Sequence, residues 1–302
     1  MSGSFVIILF IFLLCSGLPI AVSMGLPSAL YLMVAGIPAS QLIQRMVTSL
    51  NSFPLLAVPL FILAATLMNT SGITQRLFEF SKLIVGRMRG GLAQVNIFGS
   101  LVFAGMSGAA LADIGGIGSI EIKAQTDQGY PIEVSAALTA ASATIGPIFP
   151  PSIPLIIYAA ASESSSIRLL MSGVFPGLII TFALMVQVAI LARKYNWPRG
   201  VERKFTKQEV LTVLKRGIPS MLMPVFMLVG MLSGFFTPTE VAAIAVAYAT
   251  VLSMAYKELT VSSFINACVE TVKSTASVLF IVAAAAIFAW VLTVEQFPQR
   301  AS

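Results

Sequence analysis

The sequence contains no histidine among its 302 residues, and only 10% of the residues are charged. Without histidine, catalysis by an imidazole base and histidine-ligated metal sites are excluded. Soluble domains carry about 25% charged residues, so this scarcity argues against a water-soluble chain. Apolar residues fill the sequence instead, at 57% of the total with a mean hydropathy of +0.94. These values predict an all-α, polytopic membrane protein.

Cysteine is also scarce, and the only two are Cys15 and Cys268. They lie in separate apolar or amphipathic stretches with no metal-ligand spacing, which predicts buried free thiols. The amino-terminal stretch, residues 1–17, lacks the basic segment of a cleaved signal peptide and continues into further apolar sequence. We therefore expect it to be a retained membrane span.

Apolar stretches suited to a bilayer recur along the chain. They cover residues 5–19, 24–37, 53–68, 169–192, 219–236, 241–254 and 275–294. Several are shorter than the roughly 20 residues that a full span needs. The sequence therefore predicts broken and tilted elements beside simple spans.

Lysine and arginine concentrate in two segments, which predicts the topology. Eight lie between residues 193 and 216: Arg193, Lys194, Arg199, Arg203, Lys204, Lys207, Lys215 and Arg216. Four more, Arg76, Lys82, Arg87 and Arg89, alternate with apolar residues at helical spacing. Basic loops stay in the cytoplasm, and a basic amphipathic helix lies in the headgroup region. Both segments are expected on the cytoplasmic side, the second as an interfacial arm helix.

The chain between the two basic segments must then cross the membrane an even number of times. Residues 169–192 provide one crossing and the proline-rich segment around residues 143–158 provides the other. The remaining stretch, residues 92–134, must enter and leave on the same side. It is predicted to be a re-entrant helical hairpin with its tip in the glycine-rich AGMSGAALADIGGIG.

A weak internal repeat links the two ends of the chain. At an offset of 222 residues, Ser40 pairs with Ser262 and Val47 with Val269, in amphipathic connectors that each lie between two apolar stretches. The basic segments require the two copies to have opposite orientation, as in the inverted repeats of secondary transporters. The first copy continues for about a hundred residues beyond the point that corresponds to Ser302. The second repeat is therefore expected to be incomplete here and to lack its own hairpin.

The segment ATIGPIFPPSIPLIIY, residues 143–158, carries four prolines in an apolar setting. Proline has no backbone donor and disfavours helix in the residue before it, so carbonyls around residues 146–152 lose their intrahelical partners. Bare carbonyls are not tolerated in hydrocarbon unless protein, water or a ligand satisfies them. The break is predicted to expose oxygens to a small hard cation, most simply Na⁺, or to a polar substrate.

The hairpin tip is the predicted opposite wall of this site. Ser107 offers a hydroxyl oxygen there, and the small residues around it allow the backbone to approach closely. Packing between helices is the alternative use of small residues in a membrane.

Three further polar residues are candidates for a polar or substrate site. Asp113 follows the hairpin tip and either has a functional role, as intramembrane carboxylates often do, or caps the second hairpin helix. Thr237 and Thr239 flank a second break, where we expect Glu240 to cap the following helix. No second carboxylate is evident beside Asp113 at membrane depth, and the chain has no nucleophile–histidine pair, which argues against an intramembrane enzyme.

Taken together, these motifs resemble the large membrane subunit of the TRAP (tripartite ATP-independent periplasmic) transporters, the DctM-like permeases. The resemblance is carried by NSFPLLAVPLFILAATLMNTSGIT, RGGLAQVNIFGSLVFAGMSGAALADIGGIGSI, ASATIGPIFPPSIPLIIYAAA and GFFTPTEVAAIAVAYA. It covers essentially the whole chain, apart from a carboxyl-terminal third that the family has and this sequence lacks.

The resemblance implies an elevator-type secondary transporter, not an enzyme, in the bacterial inner membrane. It implies sodium-driven import of organic acids, such as C4-dicarboxylates or sialic acid, with sodium as the coupling ion and no other cofactor. The implied partners are a small four-helix membrane subunit, a periplasmic substrate-binding protein and the lipid bilayer, with no nucleic acid. The implied sodium ligands are Ser107 and Ala109 in the hairpin tip and Gly146, Phe149 and Pro151 in the broken helix. Many relatives have a second serine where this sequence has Ala109.

The expected organisation has six segments. They are first-repeat scaffold spans (1–72), the interfacial arm helix (73–91), the re-entrant hairpin (92–134), the broken helix and following span of the transport domain (135–192), the basic cytoplasmic loop (193–216) and the start of the inverted second repeat (217–302). Two other interpretations stay open: a truncated, non-transporting fragment of such a permease, and a passive channel. The repeated breaks favour an alternating-access transporter over a channel.

Overall fold

The computed structural model describes residues 3–198, 200, 205–297 and 299, and these residues form helices with no strand among them. The α-helices are α1 (Gly3–Cys15), α2 (Ile20–Val34), α3 (Ala39–Leu50), α4 (Ala57–Thr70), α5 (Ile73–Val85), α6 (Gly91–Ser107), α7 (Ala110–Asp113), α8 (Ser119–Asp127), α9 (Ile132–Ala143), α10 (Ile153–Ala161), α11 (Ser166–Lys194), α12 (Lys207–Leu232), α13 (Pro238–Ala255) and α14 (Val261–Val294). A 3₁₀-helix, Phe53–Leu56, precedes α4, and a π-helix, Ile114–Gly118, joins α7 to α8.

Five helical segments are long and apolar enough to cross a membrane. They are Phe53–Thr70, Ser166–Lys194, Lys207–Leu232, Pro238–Ala255 and Val261–Val294. The shorter apolar helices α1, α2, α6 and α9 accompany them. The all-helical, polytopic membrane class predicted from composition is therefore confirmed.

Prolines and capping residues explain many of the helix starts. Helices α2, α3 and α9 each begin directly after a proline, whose missing backbone donor costs nothing at that position. Helix α13 begins with a capping box, in which Thr237 N donates to Glu240 Oε2 over 2.7 Å and Glu240 N donates to Thr237 Oγ1 over 3.3 Å. This pair satisfies two orphan donors of the first turn. The predicted capping role of Glu240 is confirmed.

The chain divides into two compact units, and the first consists of Met1–Leu55 with Val272–Ser302. Its small core contains Val6, Tyr31 and Val291. Glu295 accepts hydrogen bonds from the backbone N–H of Gly3 (3.2 Å) and from the Tyr31 hydroxyl (2.6 Å). These bonds hold the start of α1 and the end of α2 beside the end of α14.

The two connectors of the internal repeat differ in the structure. In the first copy, α3 ends at Leu50, and the chain passes through a 3₁₀ turn containing Pro54 before α4 begins. In the second copy, the corresponding residues form one uninterrupted 34-residue helix, α14. Ala276 occupies the place of Pro54, so nothing removes the backbone hydrogen bonds there. The second connector is therefore continuous with the span that follows it, and the inverted orientation of the copies stays a prediction.

The second unit, Leu56–Thr271, is built around α6. Nearly every residue of α6 is buried, including Gln94, Asn96 and Ser100, and it packs against α5, α9, α11 and α12. A helix that is buried all round belongs to the centre of its domain. The first helix of the predicted hairpin is thus the core of this unit.

Helices α6 and α8 form the two arms of a hairpin whose ends lie together. Its first end places Gly91 against Gly200. At the second end, Gln128 Nε2 donates to the Gly200 carbonyl (3.0 Å) and the Tyr130 ring packs on the Trp197 ring at 5.2 Å between centroids. Both ends therefore contact the segment that follows α11. This arrangement is the one that a re-entrant hairpin requires, and its insertion into a membrane stays a prediction.

The predicted arm helix is α5, which ends at Val85, so Arg87 and Arg89 follow it rather than belong to it. Its Arg76 does not point freely to a headgroup layer. Arg76 binds the Glu258 carboxylate with two hydrogen bonds of 2.7 and 3.1 Å, and its guanidinium carbon lies 3.9 Å from the centroid of the Tyr256 ring. The ion pair joins α5 to the connection between α13 and α14. Gly72, at φ +61°, leaves the room that the pair occupies.

Two further expectations need correction. Cys15 and Cys268 are free, as predicted, but Cys15 is exposed on the chain and Cys268 is only partly covered. The segment 193–216 is not a loop throughout, because α12 begins at Lys207 and includes Lys215 and Arg216. Arg193 and Lys194 form the last turn of α11, and Arg199, Arg203 and Lys204 lie outside the described residues.

The Arg76–Glu258 pair predicts a pH-dependent contribution to stability. Hydrogen bonding to the Arg76 guanidinium lowers the pKa of the Glu258 carboxyl. A lowered acid pKa stabilises the fold above the pKa of the unfolded chain, and this stability is lost as the pH falls through the folded-state pKa. Glu258→Gln should lower the thermal midpoint of the purified protein at pH 7, because a partly exposed pair contributes up to about 1 kcal/mol to the free energy of unfolding. The deficit relative to wild type should shrink in acid, and a deficit that stays constant with pH would contradict the assignment.

Candidate ion-binding site

The predicted proline break is present between α9 and α10. Helix α9 ends at Ala143, residues 144–152 form turns and bends, and α10 begins at Ile153. The Pro150–Pro151 peptide bond is cis. Ser152 closes the break, because its hydroxyl donates to the Pro147 carbonyl and accepts from Leu155 N over 3.2 Å.

Five carbonyls of residues 146–152 accept no hydrogen bond from the described residues, and three of them belong to predicted sodium ligands. Among the described residues, none donates to the carbonyl oxygens of Gly146, Phe149 or Pro151. Burial of such oxygens is costly unless something else satisfies them. The side chain of Phe149 is 6% exposed, and Gly146 and Pro151 are also buried. Of the oxygens that the sequence predicts to be bare, those of Pro147 and Ser152 accept hydrogen bonds, whereas those of Ile148 and Pro150, like these three, accept none.

The hairpin tip lies directly against the break. Gly108, at φ +62°, ends α6, and Ala109 is extended before α7 begins. Ile153 N donates to the Gly108 carbonyl over 3.1 Å, and a Cβ atom on Gly108 would collide with the Pro151 carbonyl. A Cβ atom on Gly146 would lie 3.3 Å from the carbonyl carbon of Ala109. The two segments thus touch through backbone atoms at both glycines.

The hydroxyl of Ser107 completes the group of oxygens. Ser107 is 1% exposed, and its Oγ has no hydrogen-bond partner among the described residues. Ala109 contributes no side-chain oxygen, and its carbonyl already accepts from Asp113 N over 3.2 Å. The structure therefore brings into contact the two segments that carry these five residues, the hairpin tip and the break, and sodium binding by them stays a prediction.

The oxygens at this site are neutral, which limits the kind of ion that they suit. In the described part of the chain, no three cysteine or carboxylate side chains lie close enough together to hold a metal ion. Divalent ions are usually held by carboxylates, whereas rings of neutral carbonyls suit alkali cations. The oxygen set fits a monovalent hard cation better than a divalent one.

Asp113 does not have the capping role that the sequence left open. Helix α7 begins at Ala110 after Ala109, and the helical backbone continues past Asp113 through the π-helix into α8. Asp113 is 1% exposed, and neither carboxylate oxygen has a hydrogen-bond partner among the described residues. The capping interpretation is therefore wrong, and Asp113 remains as a buried carboxylate that makes no hydrogen bond of normal geometry but interacts with the Ser100 hydroxyl.

A second buried carboxylate, Glu121, was missed by the sequence analysis. Glu121 is fully buried in α8, interacts electrostatically with Asp113, and lies where a Cβ atom on Gly99 would be 2.7 Å from its Oε1. Its oxygens also have no hydrogen-bond partner among the described residues, and neither do the side-chain atoms of buried Gln125. Asp113, Glu121 and Gln125 are separated by multiples of four residues, so they share one face of the arm. This spacing was the available signal, and the expectation that Asp113 has no carboxylate neighbour is corrected.

Thr237 and Thr239 lie away from the hairpin tip. Both lie at the start of α13, which packs mainly on α4 and α12. Thr237 is engaged in the capping box with Glu240. The structure does not bring these two threonines to the break.

Comparison with known sequences identifies the family of this chain. The sequence model of the family described as "Tripartite ATP-independent periplasmic transporter, DctM component" matches residues 7–302. The chain belongs to the DctM family. This DctM-family chain is 41% identical over 289 residues to the "Sialic acid TRAP transporter large permease protein SiaM" of Vibrio cholerae, covering 95% of the chain and 67% of that protein.

Two other relatives carry the names of sialic acid and C4-dicarboxylate permease proteins. The chain is 40% identical over 286 residues to the "Sialic acid TRAP transporter permease protein SiaT" of Haemophilus influenzae, covering 94% of the chain and 46% of that protein. It is 36% identical over 280 residues to the "C4-dicarboxylate TRAP transporter large permease protein DctM" of Pseudomonas aeruginosa, covering 92% of the chain and 65% of that protein. The DctM-family chain thus spans about half to two thirds of the length of these relatives.

The contact between tip and break predicts that Gly108 tolerates no side chain. Gly108→Ala adds a Cβ atom at positive φ and drives it into the Pro151 carbonyl, so it should destabilise the protein by about 1–3 kcal/mol. Gly115→Ala is the matched control, because Gly115 lies in the same hairpin with nothing within 4 Å of its added Cβ. The control should leave the thermal midpoint unchanged or raise it. Equal thermal midpoints for both variants would contradict the close contact between the hairpin tip and the break.

The buried Glu121 predicts a stabilising substitution. Glu121→Met removes a carboxylate that has no partner and keeps a long, flexible side chain of similar length, so the thermal midpoint should rise. Glu133→Met is the control, because Glu133 is exposed and its replacement removes no buried polar group. A lower midpoint for Glu121→Met would instead show that the carboxylate is satisfied in the folded protein.

Proposed function

We propose that this chain is the membrane permease component of a sodium-coupled secondary transporter that imports organic acids by an elevator mechanism across the bacterial inner membrane. Membership of the DctM family supports the transporter class. The printed names of relatives, sialic acid for SiaM and C4-dicarboxylate for DctM, support small carboxylates as the substrate class. Import would depend on a small membrane subunit and a periplasmic binding protein, as the tripartite family description suggests.

One observation supports sodium coupling most directly. Gly146, Phe149 and Pro151, whose carbonyl oxygens accept no hydrogen bond, lie in the break that contacts the hairpin tip, and Ser107 in that tip has a buried hydroxyl without a partner. A monovalent cation would satisfy all four oxygens without adding a charged side chain to the site. Helix α6 ends at this point, and the negative end of its dipole favours a cation. Sodium is therefore proposed to be bound by Ser107, Ala109, Gly146, Phe149 and Pro151.

Such an ion would couple binding to the arrangement of the helices. Its ligands come from two separate segments, the hairpin tip and the break, and among the described residues one hydrogen bond, from Ile153 N to the Gly108 carbonyl, joins these segments. An ion that binds both segments favours the state in which they touch, because a ligand shifts an equilibrium by its difference in affinity. Loss of the ion would leave the bare oxygens repelling one another. This difference is what a coupled transporter needs between loaded and unloaded states.

The test is the response of the purified protein to sodium. Ser107→Ala removes one ligand oxygen and should weaken sodium binding about tenfold, since contacts to charged groups contribute roughly 1.5–3 kcal/mol. Binding is measured as the rise in thermal midpoint with NaCl at an ionic strength held constant by choline chloride. Ser119→Ala is the matched control, because Ser119 is an exposed serine in the same hairpin.

The same two variants should also differ in the sodium dependence of transport. In cells that produce the complete transport system, Ser107→Ala should raise the sodium concentration needed for half-maximal uptake, and Ser119→Ala should not. Wild-type protein whose midpoint is the same in NaCl and in choline chloride would contradict sodium binding. An unchanged sodium dependence of Ser107→Ala at normal abundance would contradict this particular site.

A further inference from the structure

A buried network of polar side chains joins α6 to α9. Asn96 Nδ2 donates to Thr139 Oγ1 over 2.7 Å, and Asn96 Oδ1 accepts from Ser142 Oγ over 2.7 Å. The Ser100 hydroxyl donates to Ser142 Oγ over 3.0 Å. Asn96, Ser100 and Ser142 are fully buried, and Thr139 is 2% exposed. The network is thus closed off from solvent, and both ends of the Asn96 amide are used.

The network stands directly before both halves of the proposed ion site. Ser100 precedes Ser107 by seven residues in α6, about two helical turns or roughly 10 Å. Ser142 precedes Gly146 by four residues and lies at the end of α9. Beyond this level the two helices end, one at the hairpin tip and the other at the break. A change in the height of α6 relative to α9 at the network would therefore move the hairpin tip relative to the break.

The rest of the interface does little to fix that height. Helix α9 has the sequence IEVSAALTAASA, in which most residues near its end are alanine or serine. Small side chains allow helices to approach closely, but they leave shallow contacts that a small slide does not break. Hydrogen bonds between a buried amide and two hydroxyls are directional. Breaking them leaves buried polar groups without partners, and each such group destabilises the protein by about 1–3 kcal/mol. The network is the part of the interface that penalises a slide.

We propose that Asn96, acting through Ser142, Ser100 and Thr139, is a positioning residue that sets the spacing between hairpin tip and helix break and thereby tunes the affinity for sodium. This inference rests on the proposed function, because it assumes that an ion binds between these segments. Asn96 does not touch the ion site, so its effect is transmitted by the register of α6 against α9. Loss of the network leaves the same oxygens in place but less well aligned.

A purely structural role is the competing explanation, and the two differ in what they change. A structural bond contributes to stability alone. A positioning bond also changes the sodium concentration at which the midpoint rise is half complete. The matched control is the Ser253–Ser71 hydrogen bond of 2.6 Å, whose two serines are fully buried. It joins α13 to the turn after α4 and lies in the same unit without connecting the halves of the site.

The experiment compares Asn96→Leu, Ser142→Ala and Ser253→Ala in the purified full chain, with NaCl titrated against choline chloride. We expect Asn96→Leu and Ser142→Ala to weaken sodium binding about tenfold, whereas Ser253→Ala lowers the sodium-free midpoint with unchanged sodium affinity. Thr139→Val, which replaces a single hydroxyl with a methyl group, and Ser142→Ala decide the result if Asn96→Leu is not produced as folded protein.

The outcomes separate the two proposals. If wild type responds to sodium and the network variants respond with wild-type affinity, the positioning role is overturned while the proposed function stands. If wild type shows no response to sodium, the proposed function fails and the positioning role fails with it. Weakened binding in the network variants together with unchanged binding in Ser253→Ala supports the inference.

Discussion

The contact between a helix break and a hairpin tip is the constraint on which the second unit depends. At this contact, backbone meets backbone, because Gly108 and Gly146 present no side chains and the Pro151 carbonyl fills the space in front of Gly108. A hydrogen bond from Ile153 N to the Gly108 carbonyl holds the two segments together. The prolines that stop the helix also prevent it from using its own carbonyls. The same feature therefore permits the close approach and leaves oxygens available there.

The polar groups around this contact fall into two kinds. Those between α6 and α9 are paired with one another, with Asn96 bonded to both Thr139 and Ser142. Those on the inner face of the second arm, Asp113, Glu121 and Gln125, make no hydrogen bond of normal geometry among the described residues. Satisfied polar networks specify a single packing, while unsatisfied buried groups lower stability. One side of α6 is thus held in a fixed register, and the other carries groups that reduce the stability of the hairpin.

Much of this arrangement could be predicted from the sequence, because its signals are local. Proline spacing predicts the break, small residues and glycines predict the tip, and the spacing of Thr237 and Glu240 predicts the cap of α13. The long-range pairs could not be predicted in the same way. Glu121 is separated from its neighbours on α6 by a hairpin turn, and only the antiparallel packing of the arms shows that it is buried against Gly99.

The structure differs from the sequence pattern for equally specific reasons. The second connector of the repeat looks like the first in its polar pattern, but Ala276 in place of Pro54 lets the helix continue. Arg76 has the spacing of a headgroup-facing residue, yet it binds Glu258, which is far away in the sequence. Backbone continuity across a junction and the choice of ion-pair partner depend on tertiary packing, which a helical pattern does not record.

Both ends of the hairpin contact one short stretch of chain after α11, through Gly91, Gln128 and Tyr130. A hairpin that is held at both ends by the same segment cannot rotate about one end alone. Any displacement of the hairpin tip must therefore either bend the two helices or move the segment after α11 as well. Because the first arm is almost fully buried, bending it would disrupt the packing at the centre of the unit.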